Sequence, residues 1–160
     1  MKRPIIVAAL VVAGIVVTTG AIAQRRQSPE QQAQSAIDTR KSVMRLINFN
    51  MAPINAMARG GQEFDAALVE RNARRVAALA PMLPETFAAM DTRAFDLETT
   101  ALPLVWDDFE EFQQKTNNLI EGINDLADMA ATGNQQETIR LAGQIGRTYC
   151  GGCHQMFRED

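Results

Sequence analysis

The residues of this chain best placed to do chemistry are two thiols and one imidazole in the run Cys150-Gly151-Gly152-Cys153-His154. On a helix, Cys150 and Cys153 lie one turn apart on the same face. Each thiol can add across a vinyl group of a porphyrin, and His154, next to the second thioether, can then meet the iron as axial ligand. A Cys-x-x-Cys-His run is therefore the attachment signature of a c-type haem.

Two other readings of the cysteines are weaker. A thiol-disulfide redox pair belongs at the start of a helix in a βαβ setting, and no strand pattern precedes Cys150. A structural zinc ion needs four N or S ligands, whereas the chain has two cysteines and a single histidine. With both cysteines committed to haem, no structural disulfide is available. The domain must be held by its core and its cofactor.

Four helical stretches are available to position the site. Ser28-Pro29-Glu30-Gln31 reads as a helix start, with Ser28 as N-cap, proline at the first position and Gln31 completing a capping box. Ala33, Ile37, Arg40, Met44, Ile47, Met51, Ile54 and Ala58 then recur at four-three spacing, the seam of a bundle, with Pro53 expected to loosen the last turns and Arg59-Gly60-Gly61 to end them. A second helix opens at Asp65, buries Val69, Ala73, Val76, Ala80 and Leu83, and stops at Pro81 and Pro84. The stretch from Glu85 to Pro103 reads as a long connection crossing one end of the bundle. From Pro103 to Gly133 the four-three stripe returns through Val105, Phe109, Phe112, Thr116, Leu119, Ile123, Leu126 and Ala130, with Trp106 beside it as a core residue rather than a cofactor contact. Asn134 with Glu137 opens the fourth helix, which carries the haem motif. Its glycines Gly143, Gly146, Gly151 and Gly152 are poor helix formers, and close approach of a flat porphyrin explains them.

Arg40 stands out in the first seam, because a guanidinium on a core-facing position costs several kcal/mol unless an anion meets it. A haem propionate is a ready partner; the alternative is an arginine that snorkels to solvent. Arg158, one turn past His154, either reaches a propionate or is solvated.

At the other end, Met1-Lys2-Arg3, the apolar run Ile5 to Val17 and Ala21-Ile22-Ala23 form the three regions of a secretory signal peptide over residues 1–23, with residues 24–160 as the mature domain. An uncleaved membrane anchor is the rival reading of the same stretch. The net charge of −3 becomes −5 without Lys2 and Arg3, and no basic patch for nucleic acid is present.

Taken together, these residues resemble the class II c-type cytochromes, the cytochrome c-prime family. The resemblance covers the mature chain and is most specific at Cys150 to His154 with Phe157-Arg158 following, at Arg40-Lys41-Ser42-Val43-Met44, and at Leu102-Pro103-Leu104-Val105-Trp106. It implies an all-α antiparallel four-helix bundle with one covalently attached haem c on the C-terminal helix. It further implies Cys150 and Cys153 as thioether cysteines, His154 as axial iron ligand, Arg40 at a haem propionate, Arg158 near the proximal histidine, and Met44 over the distal face as sixth ligand or as cover. Homodimers packed through the first two helices are common in the family.

The expected function is one-electron transfer by a periplasmic haem protein that is not an enzyme in the substrate-turnover sense and is not membrane-bound once its signal is cleaved. The alternative is binding or sequestration of nitric oxide or carbon monoxide at an open distal position. A peroxidase is disfavoured because no second histidine exists for acid-base work. The redox partner is not identifiable.

Overall fold

The computed structural model describes residues 27–159, so the expected signal segment 1–23 lies outside the described residues. The described chain is helical: α1 (Pro29–Ala58), α2 (Ala66–Leu79), α3 (Met82–Ala88), α4 (Leu104–Asp107), α5 (Phe109–Ala131), α6 (Gln135–Gln144), a π-helical turn (Ile145–Gly151) and α7 (Gly152–Phe157). Four long rods, with α6, the π turn and α7 acting as the fourth, make an antiparallel four-helix bundle. Around the ring, α2 packs on α1 and α5, and α6 packs on the same two helices from the other side. No helix among the described residues is long and apolar enough to cross a membrane.

Local chemistry sets most of the helix ends. At α1 the Ser28 hydroxyl accepts from Gln31 N at 3.2 Å while Gln31 Oε1 accepts from Ser28 N at 2.9 Å, the reciprocal box expected from the sequence. Gly60, at φ +72°, turns the chain out of α1 in the left-handed region, where a side chain would be strained. Asp65, Asp108 and Asn134 each accept a backbone N–H from the third residue on, starting α2, α5 and α6. Pro53 lies inside α1, which nevertheless continues to Ala58.

Three features differ from the sequence reading. The second helix does stop before Pro81, at Leu79, but the connection that follows opens with another helix: Pro81 caps α3 and Pro84 sits in its first turn, where a missing N–H breaks no intrahelical bond. The third stripe is not one rod, because Asp108 leaves helical geometry at φ −129°, ψ 60° and caps α5, leaving α4 as a separate turn. On α1, Val43, Asn50 and Met57 are buried beside the expected seam while Met44, Ile47 and Ala58 are half-buried. A helix facing two neighbours needs a wider buried arc than a single seam.

The interior divides in two. One cluster is aliphatic and built on Met51, Ile54, Val69, Val76, Ile123, Leu126 and Ile145. The other is largely aromatic and joins Val43, Leu83, Phe87, Val105, Phe112 and Phe157. Each fully buried Ile or Leu contributes about 1.5–3 kcal/mol, so the aliphatic cluster supplies much of the bundle's stability.

Candidate haem attachment site

The fourth rod changes its winding where the chemistry begins. After Gln144 the backbone widens into the π turn, which ends on Gly151, and α-helix resumes at Gly152. In this wider turn residues four and five apart share a face. Accordingly Ile145, Tyr149 and Cys150 all pack on the aliphatic cluster, whereas Cys153 packs on the aromatic one. The two thiols straddle the boundary between the cores. A flat group bonded to both would lie across it.

Both cysteines are free and half-buried. Burial pushes both thiols up from their ordinary value, with Lys115 pulling Cys153 part of the way back. A thiol-disulfide redox pair needs the opposite, an acidified attacking thiol. His154 is also half-buried; burial, and then the charge of Arg158, hold its imidazole below the ordinary value. The neutral ring is the form that binds a metal.

Arg158 follows α7 as its C-cap and brings Nη1 to 3.4 Å from His154 Nδ1. A guanidinium only donates, so in this contact Nδ1 is the acceptor, and Nε2 is the nitrogen turned away from it. Arg158 is held by its backbone as well. It forms an antiparallel bridge with Ala101, flanked by Leu102 N to Phe157 O at 3.0 Å and Glu159 N to Thr100 O at 2.8 Å. These bonds tie the end of α7 to the crossover, a contact that helical periodicity alone cannot reveal.

Met44 lies on α1, half-buried against the same aromatic cluster that receives Cys153. The fold thus brings Met44 from α1 and Cys153 and Phe157 from α7 onto one apolar body. At Gly146 and Gly152 an added Cβ would meet nothing within 4 Å. One glycine of the motif, Gly152, and one in the turn before it, Gly146, therefore border open space, as a flat ligand requires. Paired thiols, a neutral imidazole, an apolar facing wall and open space at the glycines together fit a covalently attached haem.

Arg40 is buried, at 4% exposure, and the chain supplies partners for it. Its Nε donates to Thr86 O at 3.1 Å, Nη1 to Thr92 Oγ1 at 3.1 Å, and Nη2 to Met90 O. Its guanidinium also lies 4.6 Å from the Phe87 ring centre and 5.3 Å from that of Trp106. Burial lowers its pKa, partly offset by Asp91. Arg40 therefore gathers the carbonyls at the end of α3, and of its five N–H groups two remain for an anion. Sequence reasoning found the residue but not this role, because the role depends on α3.

Trp106 packs as a core residue, edge-on to Phe87 at 5.7 Å, and donates from its indole N–H to Phe87 O at 3.2 Å. From it an aromatic chain runs through Phe87 and Phe112 to Phe157, three residues past His154, with successive centroids 5.0 and 5.3 Å apart. Gly122 on α5 was not singled out by the sequence, and it lies directly against the Tyr149 ring. Its only sequence signal is a glycine inside an otherwise regular apolar stripe.

Known proteins agree with this arrangement. The family model for cytochrome c' matches residues 35–158. The cytochrome c' of Halomonas halodenitrificans is 31% identical over 132 residues, spanning 81% of this chain and 99% of that protein. The solved cytochrome c' of Rhodobacter sphaeroides superposes with a TM-score of 0.71 at 30% identity, covering 79% of this chain and 96% of that one. A nitric oxide complex of a variant cytochrome c' from Alcaligenes xylosoxidans shares the fold, with a TM-score of 0.68 at 22% identity over 80% of this chain and 97% of its own. With its haem motif on the last rod of a four-helix bundle, the chain belongs to the cytochrome c' family and carries haem c.

Proposed function

We propose that this protein is a periplasmic one-electron carrier, exported through its N-terminal segment, and not an enzyme. When bound, the haem supplies an iron that takes up and releases a single electron. The observation that carries the reading is the wall facing the motif: Val43, Leu83, Phe87, Val105, Phe112 and Phe157, with Met44 and Met156 against them. These side chains are apolar, and none of them can itself hold or relay a proton. What it does offer is low polarity, which limits solvent access and tunes the potential.

Cys150 and Cys153 would hold the haem by two thioether bonds, and His154 would supply an imidazole to its iron. Met44 reaches over from α1 as a soft ligand or an apolar cover. Arg40 and Arg158 bring positive charge near the site, Arg158 at 3.4 Å from His154 and Arg40 through its two remaining N–H groups.

A second reading, gas binding, has one specific support: a thioether that only covers the iron is displaced easily, and the Alcaligenes xylosoxidans relative is known as a nitric oxide complex. Optical spectra of the ferric and ferrous protein, the latter with and without carbon monoxide, separate the two. A low-spin spectrum with the methionine-to-iron band, unmoved by the gas, makes Met44 the sixth ligand and the protein an electron carrier. A high-spin spectrum that shifts with carbon monoxide makes Met44 a cover and gas binding the function.

The homodimer is part of the same proposal. Leu46 and Phe49 project from α1 at 50% and 71% exposure, and Phe49 lines a groove with Ala52 and Pro53 that is edged by Arg45, Arg71 and Arg75. Replacing Phe49 by Glu should shift the mass measured by light scattering from dimer to monomer without changing the haem spectrum; an unchanged mass places the interface elsewhere.

A further inference from the structure

Gly122 is buried in the middle of α5, where its neighbours are regular helix. Alanine there would favour the helix by about 1 kcal/mol, so local propensity argues against the glycine. Its φ is not positive, so backbone conformation does not require it either. The reason is steric. A Cβ at 122 would lie 2.4 Å from Tyr149 Cε2 and 3.1 Å from Cδ2 and Cζ. That is an overlap with the edge of a ring, not with the end of a flexible chain.

We propose that Gly122 is a positioning residue for the haem: it forms a notch in α5 that receives the Tyr149 ring and thereby fixes the rotation of the π turn carrying Cys150. Tyr149 has no freedom to yield cheaply. It packs on the aliphatic cluster beside Ile145, one wide turn earlier, and close-packed interiors transmit such a displacement instead of absorbing it. Cys150 is the next residue along the chain. Moving the ring rotates the backbone from which the first thioether projects, while Cys153 stays with the aromatic cluster on α7. The plane of the haem relative to Met44 and to the ring of His154 is then set by how deeply Tyr149 sits in α5. The π turn suits this arrangement, since its wider winding puts Ile145, Tyr149 and Cys150 on the same core.

The test uses the holoprotein and reads the ferric optical spectrum, with the thioether count from the pyridine haemochrome as control. Gly122→Ala should shift the axial-ligation bands while both thioethers persist. In a Tyr149→Ala background the same substitution should cause no further shift, since there is no ring left to displace. A native spectrum in folded Gly122→Ala, or an equal shift in both backgrounds, overturns the proposal. Should Gly122→Ala fail to fold, the Tyr149 variants decide: Tyr149→Phe should keep the native spectrum and Tyr149→Ala should shift it. A native spectrum in Tyr149→Ala, or a shift in Tyr149→Phe equal to it, overturns the proposal independently.

Discussion

The two halves of the bundle are built in different ways. The aliphatic half uses long regular helices, α1, α2, α5 and α6, meeting through Ile, Val, Leu, Met and Ala. The haem half adds short pieces, α3, α4 and α7, to Val43 of α1 and Phe112 of α5, and is held by edge-on aromatic pairs, a buried arginine and a strand-like bridge. The first half needs only hydrophobic patterning to form. The second leaves a face open for a planar group, and its irregular elements are what a chain must adopt to line such a face. Stability is thus concentrated in one half and function in the other.

Removing the covalent link is the strongest way to break this comparison. In a Cys150→Ser, Cys153→Ser variant lacking haem, the aromatic half should lose its fixed packing while the aliphatic half keeps residual helix, since space left unfilled beside a core destabilises it. Hydrogen exchange read by mass spectrometry should show early exchange in α3, α4 and α7 and slower exchange in α2 and the middle of α5. Uniform protection, or uniform loss, would show that the halves are one cooperative unit.

Core truncations sharpen the contrast. Ile123→Ala, in the aliphatic half, should cost about 2–5 kcal/mol in denaturant unfolding and leave the haem spectrum as it is. Phe112→Ala should cost about 3–5 kcal/mol and also shift the spectrum, because Phe112 stacks on both Phe87 and Phe157. Equal spectral effects from the two would erase the division of labour.

Arg40→Leu comes next in size. It removes the donors to the carbonyls of Thr86 and Met90, and each buried acceptor left without a partner costs about 1–3 kcal/mol. If its remaining N–H groups also hold a propionate, the reduction potential and its pH dependence should change beyond what the stability loss explains. A destabilised variant with a native redox titration would confine Arg40 to its structural role.

The sequence makes the aliphatic half legible and the haem half only in outline. Four-three spacing, the Ser28 box and the Asp65 and Asn134 caps depend on neighbours a few residues apart, so they survive being read in one dimension. The haem motif is equally legible, since its chemistry fixes both the types and the spacing of Cys150, Cys153 and His154. What escapes is whatever depends on distant partners. Prolines at 81 and 84 signal an end, but the turn that follows is helical because its open carbonyls find Arg40, some 46 residues earlier. The π turn has no periodicity of its own, and the notch at Gly122 that meets its Tyr149 ring is on another helix. The bridge from Arg158 to Ala101 joins two segments that both read as irregular.

The smallest effect tests how the haem half is closed at its surface. Arg93 pairs with Asp91 at 2.6 Å and with Asp107, and its guanidinium lies 5.6 Å from the ring centre of Trp106. The side-chain bond from Arg93 holds the Asp91 carboxyl below its ordinary value of 3.8, against a smaller opposing effect of burial. A carboxyl depressed on folding adds stability that is present above 3.8 and is lost as pH falls through the folded value. Acid should therefore release Arg93 from Trp106 only below pH 3.8. Trp106 is the only tryptophan, so its fluorescence reports this site without labelling. Emission should change in that window, and Asp91→Asn should remove the change while leaving the haem spectrum at neutral pH untouched. A transition that persists in Asp91→Asn would mean that Asp91 does not hold Arg93 against Trp106, leaving the pair with Asp107 to close the rim.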